Sequence, residues 1–201
     1  MTPLDPAAFI LAHTRLQPVS HAPEISLWLA DEVTPIWQLT EEELGEMGVP
    51  PPFWAFAWAG GQALARFLLD HPDRVRGRRV LDLAAGSGLV GIAALKAAVA
   101  LNAEANGVTL DFAADNLLDR DPPLVDLICA GDVFYERPMA EAVIAWLKAD
   151  RAQGTEVLIG DPRRSYFPKG DLIQLAEYEV PTTRELEDQA VKRSGVYDLG
   201  S

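Results

Sequence analysis

The sequence predicts an α/β domain. Its centre is a doubly wound, mostly parallel sheet with an antiparallel C-terminal strand, preceded by a helical N-terminal extension. Three observations predict it. From Val80 onward, short apolar runs alternate with helix-length segments. A small-residue turn, Gly86 to Gly91, joins the first of those runs to a helix. Asp115, Asp132 and Asp161 each fall where a run ends, the edge at which parallel sheets place their ligands. At 201 residues a single domain is expected, with residues 1–75 as extension and lid and 76–201 as the core.

The elements follow in order. Asp5 is a good N-cap for a helix over Pro6 to Leu16, and Ile25 to Ala30 alternates as a strand would. Thr40-Glu41-Glu42-Glu43-Leu44 reads as a capping box, stopped by Pro50-Pro51-Pro52. Gln62 to Leu69 forms a helix that ends near His71-Pro72. Val80 to Leu83 is the first central strand, and Leu89 to Ala105 is an alanine-rich helix closed by Asn106-Gly107. Val108 to Ala113 and Leu124 to Ala130 are strands, Met139 to Ala149 is an amphipathic helix, and Thr155 to Ile159 is a further strand. Tyr178 to Thr182 and Val191 to Leu199 close the sheet. One piece is missing. A doubly wound sheet needs a strand after its first helix, and no turn residue separates Ala93 to Ala100 from Leu101 to Gly107. A turn, a strand and a second turn need roughly ten residues or more. The core is therefore expected to lack its second strand, and with it the acid that binds a ribose.

Charge and composition narrow the function. A net charge of −13 repels phosphates and argues against nucleic-acid binding. Lys96 interrupts the longest apolar tract, so no membrane span is expected, and the cytoplasm fits best. The single Cys129 lies in an apolar run and reads as a small buried hydrophobe. His13, His21 and His71 lack metal-ligand spacing, so no metal is assigned. Glu185, Glu187 and Asp188 read as a solvated loop.

Val80-Leu81-Asp82-Leu83-Ala84-Ala85-Gly86-Ser87-Gly88 carries the ligand signal. Its glycines let backbone approach a ligand, and the following helix offers free N–H groups. Asp82, inside a strand expected to be buried, needs a partner, which a ligand amino group would supply. The same letters fit G-x-G-x-x-G through Gly91, the dinucleotide fingerprint, but Ala84-Ala85 displace the first glycine from the strand end. The stretch resembles the first motif of class I S-adenosylmethionine (SAM) methyltransferases, which have a Rossmann-like fold. The resemblance implies SAM held by Asp82, Gly86, Ser87 and Gly88, with Asp115, Asn116 and Trp58 beside them.

Ala130-Gly131-Asp132-Val133-Phe134-Tyr135-Glu136 follows the buried strand. A lysine amine must lose a proton and be aligned before it can accept a methyl group. A carboxylate can accept its hydrogens, and aromatic rings can exclude water, so Asp132, Phe134 and Tyr135 are the catalytic candidates. The competing reading makes Asp132 a helix cap and the aromatics core. Asp132 to Glu136 resembles the signature of seven-β-strand protein lysine methyltransferases. With Pro52 to Gly61, Gly160 to Arg164 and Val180 to Asp188, the chain resembles the bacterial electron-transfer-flavoprotein β-subunit lysine methyltransferases. That family implies SAM and a protein lysine as substrate. The alternatives are a ribosomal-protein or small-molecule methyltransferase, an NAD(P) oxidoreductase, and a non-catalytic binding protein of the same fold.

Overall fold

The computed structural model describes residues 5–30, 52–83, 101–111, 116–121, 123–170, 172–182 and 187–200. The expected capping box at Thr40, the glycine turn and Asp115 lie outside them. The chain divides into two compact units, the first comprising residues 1–19, 23–57 and 85–116 and the second the remainder.

In the first unit α1 (Pro6–His13) starts as expected, with the Asp5 carboxylate accepting the Ala7 N–H at 3.1 Å. It stops three residues before the expected end. The chain turns extended at Thr14 because the residues that follow, Arg15 to Val19, are taken up as a strand paired with Ala22 to Leu29. β1 (Arg15–Val19) and β2 (Ala22–Leu29) then form a two-stranded sheet. Residues 101–105 are helical, and Asn102 within them and Asn106 just after them serve β2. Asn106 Oδ1 accepts the Ser26 N–H at 2.9 Å, and Asn102 Oδ1 accepts the Trp28 N–H at 2.7 Å. Phe9, Ala30 and Ala55 are buried together, with Trp54 and Phe56 packed against them. The described part of the expected strand at Val108, residues 108–111, is irregular and exposed. A strand exists only through a ladder partner, and the described residues offer it none.

The second unit holds the sheet. β3 (Val80–Asp82), β4 (Leu127–Gly131) and β5 (Glu156–Asp161) pair in parallel. β7 (Val191–Leu199) runs antiparallel between β5 and β6 (Leu172–Pro181), giving the order β3-β4-β5-β7-β6. Side-chain alternation along each strand serves two helices. Leu127, Cys129 and Leu158 face α2 (Ala59–Asp70), which contributes Ala63, Leu64 and Phe67. Ile128, Ala130, Val157 and Ile159 face α3 (Arg137–Arg151), which contributes Ala140, Val143 and Leu147. Helices thus cover both faces, as expected. Cys129 is the buried hydrophobe expected of it, and burial pushes its thiol up to about 12.

Two expectations need correction here. Asp82 is exposed rather than buried, because among the described residues β3 is the last strand on its side of the sheet. β6 begins at Leu172, not Tyr178, because β7 pairs with it from Leu199 down to Val191.

Candidate active site

Three carboxylates mark the carboxyl ends of the three adjacent parallel strands. Asp82 ends β3, Asp161 ends β5, and Asp132 follows directly on β4. The register brings Asp132 and Asp161 level, each one residue past the Gly131–Gly160 pair, while Asp82 stands beside Cys129, three residues short of them.

The first turn of α2 is packed onto these ends by glycines. A Cβ on Gly60 would stand 2.2 Å from the Gly160 carbonyl oxygen, and one on Gly131 would stand 3.1 Å from the Gly61 Cα. Only hydrogen fits there. This approach brings helix N–H groups, which have no partner within the helix, to the strand ends. The N-cap residue Trp58 supplies no side-chain acceptor. Carboxylates distant in sequence supply two instead. Asp132 Oδ2 accepts the Gly61 N–H at 2.7 Å, and Glu187 Oε1 accepts the Ala59 N–H at 3.4 Å. The positive end of the helix dipole favours both charges.

Arg164 joins the two acids. Its Nη2 donates to Asp132 Oδ1 at 2.7 Å and to Glu187 Oε1 at 2.8 Å, and its Nε donates to Asp132 Oδ1 at 3.1 Å. The guanidinium lies 5.5 Å from the centre of the Trp58 ring. Lys192 Nζ stands 3.6 Å from the other Glu187 oxygen. Burial pushes the Asp132 carboxyl above its ordinary range, while Arg164 and the Gly61 N–H pull it down. Its backbone is left-handed at φ 56°, a strained conformation for a non-glycine residue, and its N–H is held by the Gly160 carbonyl at 2.9 Å.

Asp161 is fully buried. Its Oδ1 accepts the Arg164 N–H at 2.7 Å, across a turn in which Arg163 has φ 61°. Its Oδ2 is buried without a hydrogen-bond partner. Burial, reinforced by the Asp132 charge, pushes this carboxyl up to about 7 against the opposing Arg164 N–H.

The predicted site residues fall in several places. Asp132 and Trp58 belong to the Arg164 array. Asp132 does not cap the helix that follows it, since α3 starts at Arg137 with Glu136 as its N-cap; its side chain serves the first turn of α2 instead. Phe134 is fully buried in the core, its ring edge-on to Phe167 at 5.8 Å. Tyr135 is 45% exposed. Asn116 is exposed and belongs to the first unit. Gly86, Ser87, Gly88 and Asp115 lie outside the described residues. Glu187 overturns its solvated-loop reading, because it is 3% exposed and ion-paired. The sequence assigns Arg164 no role, because the partners of its guanidinium, Asp132 and Glu187, lie 32 and 23 positions away.

The chain matches no protein-family model. It is similar to several curated proteins. It is 38% identical over 216 residues to the electron transfer flavoprotein beta subunit lysine methyltransferase of Xenopus laevis, covering 96% of this chain and 87% of the frog protein. The rat protein of the same name is 37% identical, covering 90% of this chain and 78% of its own length. The human one is 36% identical, covering 96% and 80%. The frog alignment is longer than the 201 residues of this chain, so the frog protein carries residues with no counterpart here.

Proposed function

The chain belongs to the family of electron transfer flavoprotein beta subunit lysine methyltransferases, and on that premise we propose that it is a SAM-dependent protein-lysine N-methyltransferase acting on that flavoprotein subunit. One observation carries the assignment of the reaction to this site. Asp132 is a buried carboxylate at a parallel strand end whose hydrogen bonds leave room for one more. A carboxylate accepts about four hydrogen bonds. Arg164 supplies two and Gly61 one, which leaves Oδ2 with capacity for an incoming amine.

The residues fit a cationic cofactor. Carboxylates stand at three neighbouring strand ends, and one buried oxygen of Asp161 lacks a partner. A sulfonium and an ammonium group, both present in SAM, complement such a rim. Asp82 and Trp58, with Gly86, Ser87, Gly88, Asp115 and Asn116, are the residues proposed to hold it. When bound, SAM supplies an electrophilic methyl group. The chain's own work is to receive the lysine amine and align it. Asp132 accepts a hydrogen bond from the neutral amine, and its hydrogen bonds to Gly61 and Arg164 hold the carboxylate that orients the nitrogen lone pair; the proton left on the methylated nitrogen passes to water. The half-exposed Tyr135 and the buried Phe134 are the aromatic side chains proposed to exclude water from the amine.

The test is incubation with methyl-labelled SAM and the purified flavoprotein beta subunit, followed by peptide mass spectrometry. The expected result is label on a lysine side chain. Label absent from the subunit, in an enzyme shown by calorimetry to bind SAM, overturns the substrate. Absence of SAM binding with retained NADH binding overturns the reaction class.

A further inference from the structure

The proposed catalytic carboxylate does not hold itself in place. Asp132 occupies a left-handed turn, and its side chain is fixed from two sides, by the Gly61 N–H and by Arg164. Arg164 is fixed independently of that contact. Its N–H is bound by Asp161, and its guanidinium lies over Trp58. The same guanidinium reaches Glu187, in the segment leading into β7. Four separate stretches therefore meet at one side chain: the end of β4, the end of β5, the start of α2 and the segment before β7.

We infer that Arg164 is a positioning residue for methyl transfer, holding Asp132 in its working orientation and tying the Glu187 segment to the same array. The inference rests on the methyltransferase reading above. A planar guanidinium suits the task, since its fork serves two carboxylates at once, whereas an ammonium is a point donor. The charged groups facing Asp132 are Arg164, Glu187 and Asp161, with Lys192 behind Glu187, while α2 presents only backbone N–H groups. Arg164 is thus the one cation in direct contact with Asp132 among the described residues.

A purely structural ion pair and a positioning residue differ in one measurable way. If Arg164 acts through Asp132, its loss matters only while Asp132 is present. Methyl-transfer turnover is measured for wild type, R164Q, D132N and the double variant, with SAM affinity and melting temperature alongside. We expect R164Q to lower turnover by about tenfold or more in the wild-type background and by less than about twofold in the D132N background. SAM affinity should stay within about threefold throughout. Equal losses in both backgrounds, or no loss in the wild-type background, overturn the inference. If R164Q does not fold, R164K in the same two backgrounds decides on the same criteria, because it keeps the charge but loses the fork. No transfer by wild type removes the functional reading and this inference with it. Transfer that survives R164Q removes the inference alone.

Discussion

At the scale of single residues, burial sets the behaviour of Asp161. Burial pushes its carboxyl up to about 7, against ~3.9 for an unfolded aspartate. Between those values the folded state binds the proton and the unfolded state does not. Stability therefore falls as pH rises through this window. Asp161→Asn keeps the acceptor for the Arg164 N–H and removes the ionisation. The melting temperature of the variant relative to wild type should rise by about 4 °C or more between pH 5 and pH 8. A difference that stays constant with pH would show that Asp161 ionises without penalty. Local reading of the chain located Asp132 and Asp161 because strand ends are written in short patterns. It placed Glu187 in solvent because the partners of Glu187 are distant in sequence. Ala59 lies 128 positions away and Arg164 23, and no periodicity records such pairs. Asp82 differs from expectation because an apolar run looks the same at a sheet edge and at its centre.

At the scale of elements, the contact between α2 and the strand ends is the most demanding. Gly60→Ala drives a methyl group into the Gly160 carbonyl and should destabilise by about 2–3 kcal/mol. The neighbouring Gly61→Ala meets nothing nearer than Asp132 Oδ2 at 3.9 Å. It should be neutral or stabilise by up to about 1 kcal/mol, through helix propensity. Urea titration of both separates close packing from a general intolerance of the turn, and equal losses would contradict the glycine contact. The other end of the sheet is fastened by Glu156, which pairs with Arg74 and, at 2.6 Å, with Arg78. Partial burial raises its carboxyl, but those two arginines outweigh it and hold the group below its ordinary range. The sign is the reverse of Asp161. The stabilisation is present above the unfolded pKa and is lost as pH falls through the folded one. Glu156→Gln should cost about 1 kcal/mol at pH 7 and nothing near pH 2 in urea titration. A loss that is independent of pH would contradict the ion pairs. The helix α1 shows what local rules miss at this scale. Asp5 announces its start, while its end is set by the pairing of β1 with β2, a partner outside the helical pattern itself.

At the scale of the whole molecule, strongly acidic composition and strand topology point the same way. A chain of net charge −13 concentrates carboxylates at the ends of three parallel strands, the edge at which a cationic cofactor and a lysine amine would meet. Alternating apolar runs make the sheet and its two covering helices legible in the sequence. The array around Arg164 became legible only when the fold brought α2, β4, β5 and the β7 approach together. The account turns on Asp132 as the carboxylate that receives the substrate amine. The most direct test is methyl-transfer turnover on the flavoprotein beta subunit by wild type and Asp132→Asn, with SAM affinity and melting temperature recorded for each. Turnover should fall by about a hundredfold or more, as for the loss of one charge-stabilising contact in the transition state, while SAM affinity changes by less than about threefold. Near-wild-type turnover in a folded Asn variant would contradict the account.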